Sequence, residues 1–217
     1  MHPVAEAWQS ALERIDEWFR SAAARHPGVI PCRAGCSACC HGPFDIAGAD
    51  VLLLREGIAT IDEAARRDVR ARADVLLEKM KRLAPAWGPP WDLADLGEDQ
   101  FDAMVDSLAD EPCPLLDEAG SCRLYPFRPF VCRLMGLPMM TAGGVALENA
   151  CPIQEQFPGY AGLDPQLFDL EALEAEETAC LEGAALVLFD TPLRRDFETT
   201  IAACFASSSP PPSGSAP

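Results

Sequence analysis

The chain has 217 residues with 34 acidic against 17 basic side chains, and its formal net charge of -17 would repel phosphate backbones and anionic headgroups, so nucleic acid and anionic membrane surfaces are excluded as partners. No apolar run approaches a membrane span; Ala184 to Phe189, among the longest uninterrupted ones, is core-sized. Ten cysteines are many for a reducing compartment and too sparse for a disulfide scaffold. With no basic and apolar leader after Met1, the expectation is a cytoplasmic protein whose thiols are held by a metal.

In chain order, Val4, Trp8, Leu12, Ile15, Phe19 and Ala22 recur at helical spacing, which predicts an amphipathic helix over 3–25 ended by Pro27-Gly28. Its apolar face suits docking either on its own domain or on another chain, so a protein partner stays open. Between Pro31 and Pro43 stand Cys32, Cys36, Cys39, Cys40 and His41 with two glycines. Gly and Pro keep this stretch out of regular structure, and a curling loop is what several ligands aimed at one point require. Buried inert cysteines fit such a loop poorly.

A short helix is expected over 47–56. Thr60 and Glu63 read as a capping box opening a helix to Leu83, with Val69, Ala73, Leu76, Met80 and Leu83 on one stripe. That helix carries seven of the seventeen basic residues, read as a solvated, ion-paired face. After the break at 85–90, a further helix is expected over 98–108. In the second cysteine region, Asp117 to Gly120 signals a hairpin pairing Leu116 with Ser121 and Leu115 with Cys122, with Cys113 on the same face as Cys122. Pro129 suits the first turn of a short helix whose dipole would lower the Cys132 thiol pKa, with Arg128 four residues before it. Arg123, Arg128 and Arg133 outnumber Asp117 and Glu118, as cations recruited around a cluster of thiolates would.

Met139 to Leu147 reads as a hairpin with a Gly-Gly turn leading to Cys151. Two closing helices are expected, over 167–188 and over 191–205, the second capped by Thr191 with Pro192 first. Cys180 and Cys204 fall in apolar register and are read as core. The fold class expected is mainly α: an irregular cysteine-rich metal-binding core with one or two short β-hairpins, flanked by amphipathic helices. One domain over 1–205 is expected, with a motif core at 32–151, flanking helices at 3–25 and 165–205, and a disordered Ser/Pro-rich tail at 206–217.

Gly35-Cys36-Ser37-x-Cys39-Cys40-His41, Cys113-Pro114-Leu115-Leu116 with Gly120-x-Cys122-Arg123-Leu124-Tyr125, Arg128-Pro129-x-x-Cys132-Arg133 and Cys151 together resemble the YkgJ-type cysteine-cluster family, to which zinc or iron chelation is ascribed. The resemblance implies that Cys32, Cys36, Cys39, Cys40, Cys113, Cys122, Cys132 and Cys151 are the metal ligands. Some flagellin lysine N-methylases look similar over this module, which supplies an enzymatic alternative, although the chain has no G-x-G-x-x-G. The spacing Cys32-x-x-x-Cys36-x-x-Cys39 also matches radical S-adenosylmethionine enzymes, whose strand-helix repeats are missing here.

Thiolate ligation fits zinc or an iron-sulfur cluster and excludes magnesium and calcium, which take oxygen ligands. Eight cysteines make two four-thiolate sites or one larger assembly, and adjacent Cys39 and Cys40 point in different directions in a regular backbone. His41 is a substitute ligand, and Arg128 and Arg133 are expected behind the ligands. Three readings follow: a metal-binding protein, a cluster-dependent protein-modifying enzyme, and a redox or metal-handling module.

Overall fold

Helix α1 (Pro3–Arg25) starts where the His2 ring accepts the Val4 amide at 3.2 Å, with Pro3 in the first position, whose missing N–H costs nothing there. The computed structural model describes residues 1–32, 35–147, 149 and 151–207; the remainder of the expected tail, from 208 on, lies outside the described residues. Ala5, Trp8, Ala11, Leu12, Ile15 and Ala22 form the buried stripe of α1. The stripe docks on this chain's own α2 (Gly48–Thr60) and α7 (Glu174–Phe189). Helix α2 is the centre of the packing, buried from Gly48 through Leu54, and so lacks a polar face over those residues.

Helix α3 (Glu63–Leu83) is capped by Asp62, whose carboxylate accepts the Ala65 amide at 2.8 Å. The expected cap, Thr60, instead closes α2 by donating its hydroxyl to the Gly57 carbonyl at 2.7 Å. The stripe Val69, Ala73, Leu76, Leu77 and Met80 is buried and α3 packs on α8 (Ile201–Phe205), while Leu83 is exposed. Most of its basic face is ion-paired: Arg66 and Arg67 with Glu63, Arg72 with Asp68, Lys81 with Glu78 and Lys79 with Glu111. Trp87 and Trp91 meet edge to face at 5.1 Å in a core that also takes Met104 of α4 (Glu98–Ser107).

Strands are short. β1 (Asp45–Ala47) pairs antiparallel with β4 (Glu198–Thr200), and β2 (Met139–Thr141) pairs parallel with β3 (Gln166–Phe168). The expected Gly-Gly turn forms: the Leu147 amide donates to the Met139 carbonyl at 2.9 Å, and Thr141 to Val145 at 2.8 Å. The closing helices differ from expectation. After a one-turn α6 (Pro158–Ala161), residues 167 and 168 belong to β3, and α7 begins only at Glu174. Thr191 does cap, accepting the Leu193 amide at 3.3 Å, but it caps a single 3-10 turn over Pro192–Arg194, after which β4 and α8 follow. Of the apolar residues in helical register with Cys204, Leu193 is 88% exposed, whereas Phe197 and Ile201 are buried. The result is a mainly α fold with small sheets, and no described helix is long and apolar enough to cross a membrane.

Candidate metal centre

The two cysteine regions lie edge to edge. The Cys113 amide donates to the Cys40 carbonyl at 2.9 Å, Gly42 donates to Glu111 at 2.6 Å, and His41 forms an antiparallel bridge with Pro112. The turn after Leu116 closes over the first loop: a Cβ on Gly120, whose φ is +76°, would stand 3.3 Å from Ser37 Oγ. Its register departs from expectation by one residue. Leu116 bridges Cys122 and the Arg123 amide donates to the Leu115 carbonyl at 2.9 Å. The cause is Asp117, whose Oδ1 accepts the amides of Ala119 and Ser121 at 2.9 and 2.8 Å, so that the turn takes in Ser121.

Helix α5 (Phe130–Leu134) follows Pro129, which precedes the helix instead of occupying its first position. Asp50 Oδ1, from buried α2, accepts the Phe130 amide at 3.1 Å and Trp8 Nε1 at 2.7 Å, and this fixes α5 on α2. Cys132 does not have the lowered pKa expected of a helix start. Burial raises it well above the usual thiol value, and Cys113 and Cys122 raise it further. A dipole summed over five residues is too small to offset the loss of water. Cys113 is likewise pushed up to about 12, by burial first and then by Cys122. Cys40, Cys113, Cys122 and Cys132 share one apolar cluster with Leu115, Leu116 and Leu124.

The other thiols gather around residues 136 to 160. Cys32 Sγ donates to the Gly136 carbonyl at 3.7 Å. The same carbonyl accepts the Tyr160 hydroxyl at 3.1 Å, and that hydroxyl accepts the Cys151 amide at 2.8 Å. Asn149 braces the segment: its side-chain amide donates to Leu134 and Leu137 at 2.6 and 2.8 Å, its Oδ1 accepts Met139 N at 3.1 Å, and its carbonyl accepts Gly136 N at 2.9 Å. Cys32 is raised to about 11, by partial burial and then by Cys151, Cys39 and Cys36, while Cys151 is raised by burial and then by Cys36 and Cys39. Cys39 touches both groups, because a hydrogen bond to Cys40 is the largest influence raising its pKa. Sequence reasoning missed Gly136, Asn149 and Tyr160, whose roles arise from contacts with Cys32 and Cys151 and its neighbours that no local sequence pattern signals.

Each arginine of the second region has a carboxylate. Arg123 donates to Asp68 at 2.9 Å, Arg128 to Asp16 at 3.0 Å, and buried Arg133 pairs with Asp16 while donating to the Arg128 and Pro126 carbonyls, both at 3.0 Å. Helix α5 does not extend back to Arg128, whose guanidinium sits 3.8 Å over the Tyr125 ring. Its charge still reaches the thiols of both groups, favouring thiolate at Cys32, Cys39, Cys122 and Cys132. His41 is exposed, Cys180 is buried with α1 residues, and Cys204 packs against the cluster of Cys113 and Cys132.

Among the described residues no three His, Cys, Asp or Glu side chains converge as a metal-ligand group. The thiols are neighbours without ligand geometry. As a donor set they are sulfur-rich, with Cys113 and Cys151 buried, Cys32 exposed and the other five half-buried, and sulfur suits a thiophilic cation and not one that prefers oxygen. A family model named CxxCxxCC, described as "Putative zinc- or iron-chelating domain", matches residues 31–152, more than half of the chain. No curated protein and no solved structure matches it.

Proposed function

This chain belongs to the CxxCxxCC family, and from that premise we propose that it binds zinc or an iron-sulfur cluster through Cys32, Cys36, Cys39, Cys40, Cys113, Cys122, Cys132 and Cys151. The observation that carries the reading is the sorting of these thiols into two neighbourhoods of four. Cys36 and Cys39 lie near enough to both Cys32 and Cys151 to raise those two thiol pKa values, while Cys40, Cys113, Cys122 and Cys132 pack as one cluster. Each neighbourhood supplies the number of thiolates that a tetrahedral zinc or a four-iron cluster takes. Adjacent Cys39 and Cys40 serve different centres, with Arg128 behind both.

A bound cation would hold as thiolates the groups that burial otherwise keeps protonated. Binding would then tie the 32–40 loop to the 113–151 segment, and the setting is the reducing cytoplasm. Metal and acid-labile sulfide analysis of anaerobically purified full-length protein tests this. Two zinc ions per chain, or iron with matching sulfide and a brown chromophore, is the expected result. Protein carrying no stoichiometric metal would overturn the reading.

A further inference from the structure

We propose that the cleft between α2, α3 and residues 204–207 at the end of α8 binds a small organic anion, an oxyanion head of phosphate or carboxylate on an apolar body. The cleft encloses about 490 Å³, within the range of small-molecule sites. Arg55 of α2 and Arg66 and Arg70 of α3 line it, and Ile58, Val69 and Phe205 supply apolar wall. Among the described residues no acidic side chain lines it, in a chain where acids outnumber bases 34 to 17.

The arginines have unmet capacity. Arg55 Nη1 and Arg66 Nε are buried and lack a hydrogen-bond partner among the described residues. Arg66 Nε stands 3.5 Å from a Glu63 oxygen without forming a hydrogen bond to it. Among the described residues neither Arg55 nor Arg70 forms an ion pair, in contrast to Arg67 and Arg72 on the same helix as Arg70. A buried guanidinium N–H with no acceptor is a cost that an oxyanion removes, and planar guanidinium forks match carboxylate and phosphate oxygens. The wall after α8 is held in place: Ser207 donates its amide to Asp74 Oδ1 at 2.7 Å and its hydroxyl to Oδ2 at 2.8 Å. This site goes beyond the metal reading and does not depend on it.

Calorimetric titration of the full chain with phenyl phosphate, benzoate and inorganic phosphate, at constant ionic strength, tests the proposal. One saturable site is expected, with phenyl phosphate bound at least tenfold more tightly than inorganic phosphate. The comparison with benzoate distinguishes a phosphate head from a carboxylate head. Arg55→Gln and Arg70→Gln should each weaken binding about tenfold with metal content unchanged. Should Arg55→Gln fail to fold, Arg70→Gln, at an exposed position, decides alone. Absence of saturable binding by both aromatic anions, or binding that Arg70→Gln leaves intact, overturns the proposal.

Discussion

The amide of Cys151 donates to the hydroxyl of Tyr160 at 2.8 Å, and that hydroxyl donates in turn to the Gly136 carbonyl at 3.1 Å. One buried oxygen therefore joins the segment carrying Cys151 to the one against which Cys32 rests. Tyr160→Phe keeps the ring, strands the Cys151 N–H and leaves the Gly136 carbonyl with the Cys32 thiol alone, a loss of about 1–3 kcal/mol for the buried N–H left unpaired. Urea unfolding should show that loss, and a chelator should strip metal from the variant faster than from the wild type. A variant as stable and as chelator-resistant as the parent would remove Tyr160 from the site.

How much of this was legible in the sequence depended on how local the cause was. The stripe of α1 faces one core, so its period shows directly. Helix α2 is apolar nearly all round and shows no period, and its true end at Thr60 was misread as a start because Asp62 competes for the same role two residues later. The turn at Asp117 slipped by one residue because a side chain that takes two amides alters the loop count. The break after Thr191 was invisible because β4 is stabilised by pairing with β1, a partner from the opposite end of the sequence. The cysteine pattern itself was legible, but its division into two groups depends on which loops touch.

That division predicts an uneven response to single substitutions. On the proposed assignment, Cys36→Ser should empty the centre of Cys32, Cys36, Cys39 and Cys151 and leave the other loaded, and Cys122→Ser should do the reverse. About half the metal should remain in each variant by elemental analysis. Cys204→Ser should lose none. Complete loss from both cysteine variants would instead describe one shared assembly.

Asp50 carries a pH signature. Its carboxyl is 2% exposed, and burial raises its pKa from the usual 3.8 to about 6 against the opposing hydrogen bonds from Trp8, Phe130 and Ala47. The folded state thus holds the proton more tightly than the unfolded state. The stabilisation is complete below the unfolded value and is lost as pH rises through about 6. Relative to Asp50→Asn, the wild type should gain about 1 kcal/mol between pH 7.5 and pH 5, by linkage. Unfolding curves of both proteins across that range check the sign; parallel profiles would show that Asp50 does not titrate in this window.

Gly136 is required twice over. Its φ of +97° is costly for any residue with a Cβ, and a Cβ built there would stand 2.5 Å from Cys32 Sγ. Gly136→Ala must therefore displace the thiol or the backbone carbonyl that Cys32 and Tyr160 share. The strain alone should cost about 1–3 kcal/mol. Metal loss should be confined to the centre containing Cys32, because Cys113, Cys122 and Cys132 pack in a separate cluster. Elemental analysis read beside urea midpoints separates the two effects: a lowered midpoint with full metal content would show that Gly136 serves the backbone alone, and an unchanged midpoint would overturn the strain assigned to a Cβ at this φ.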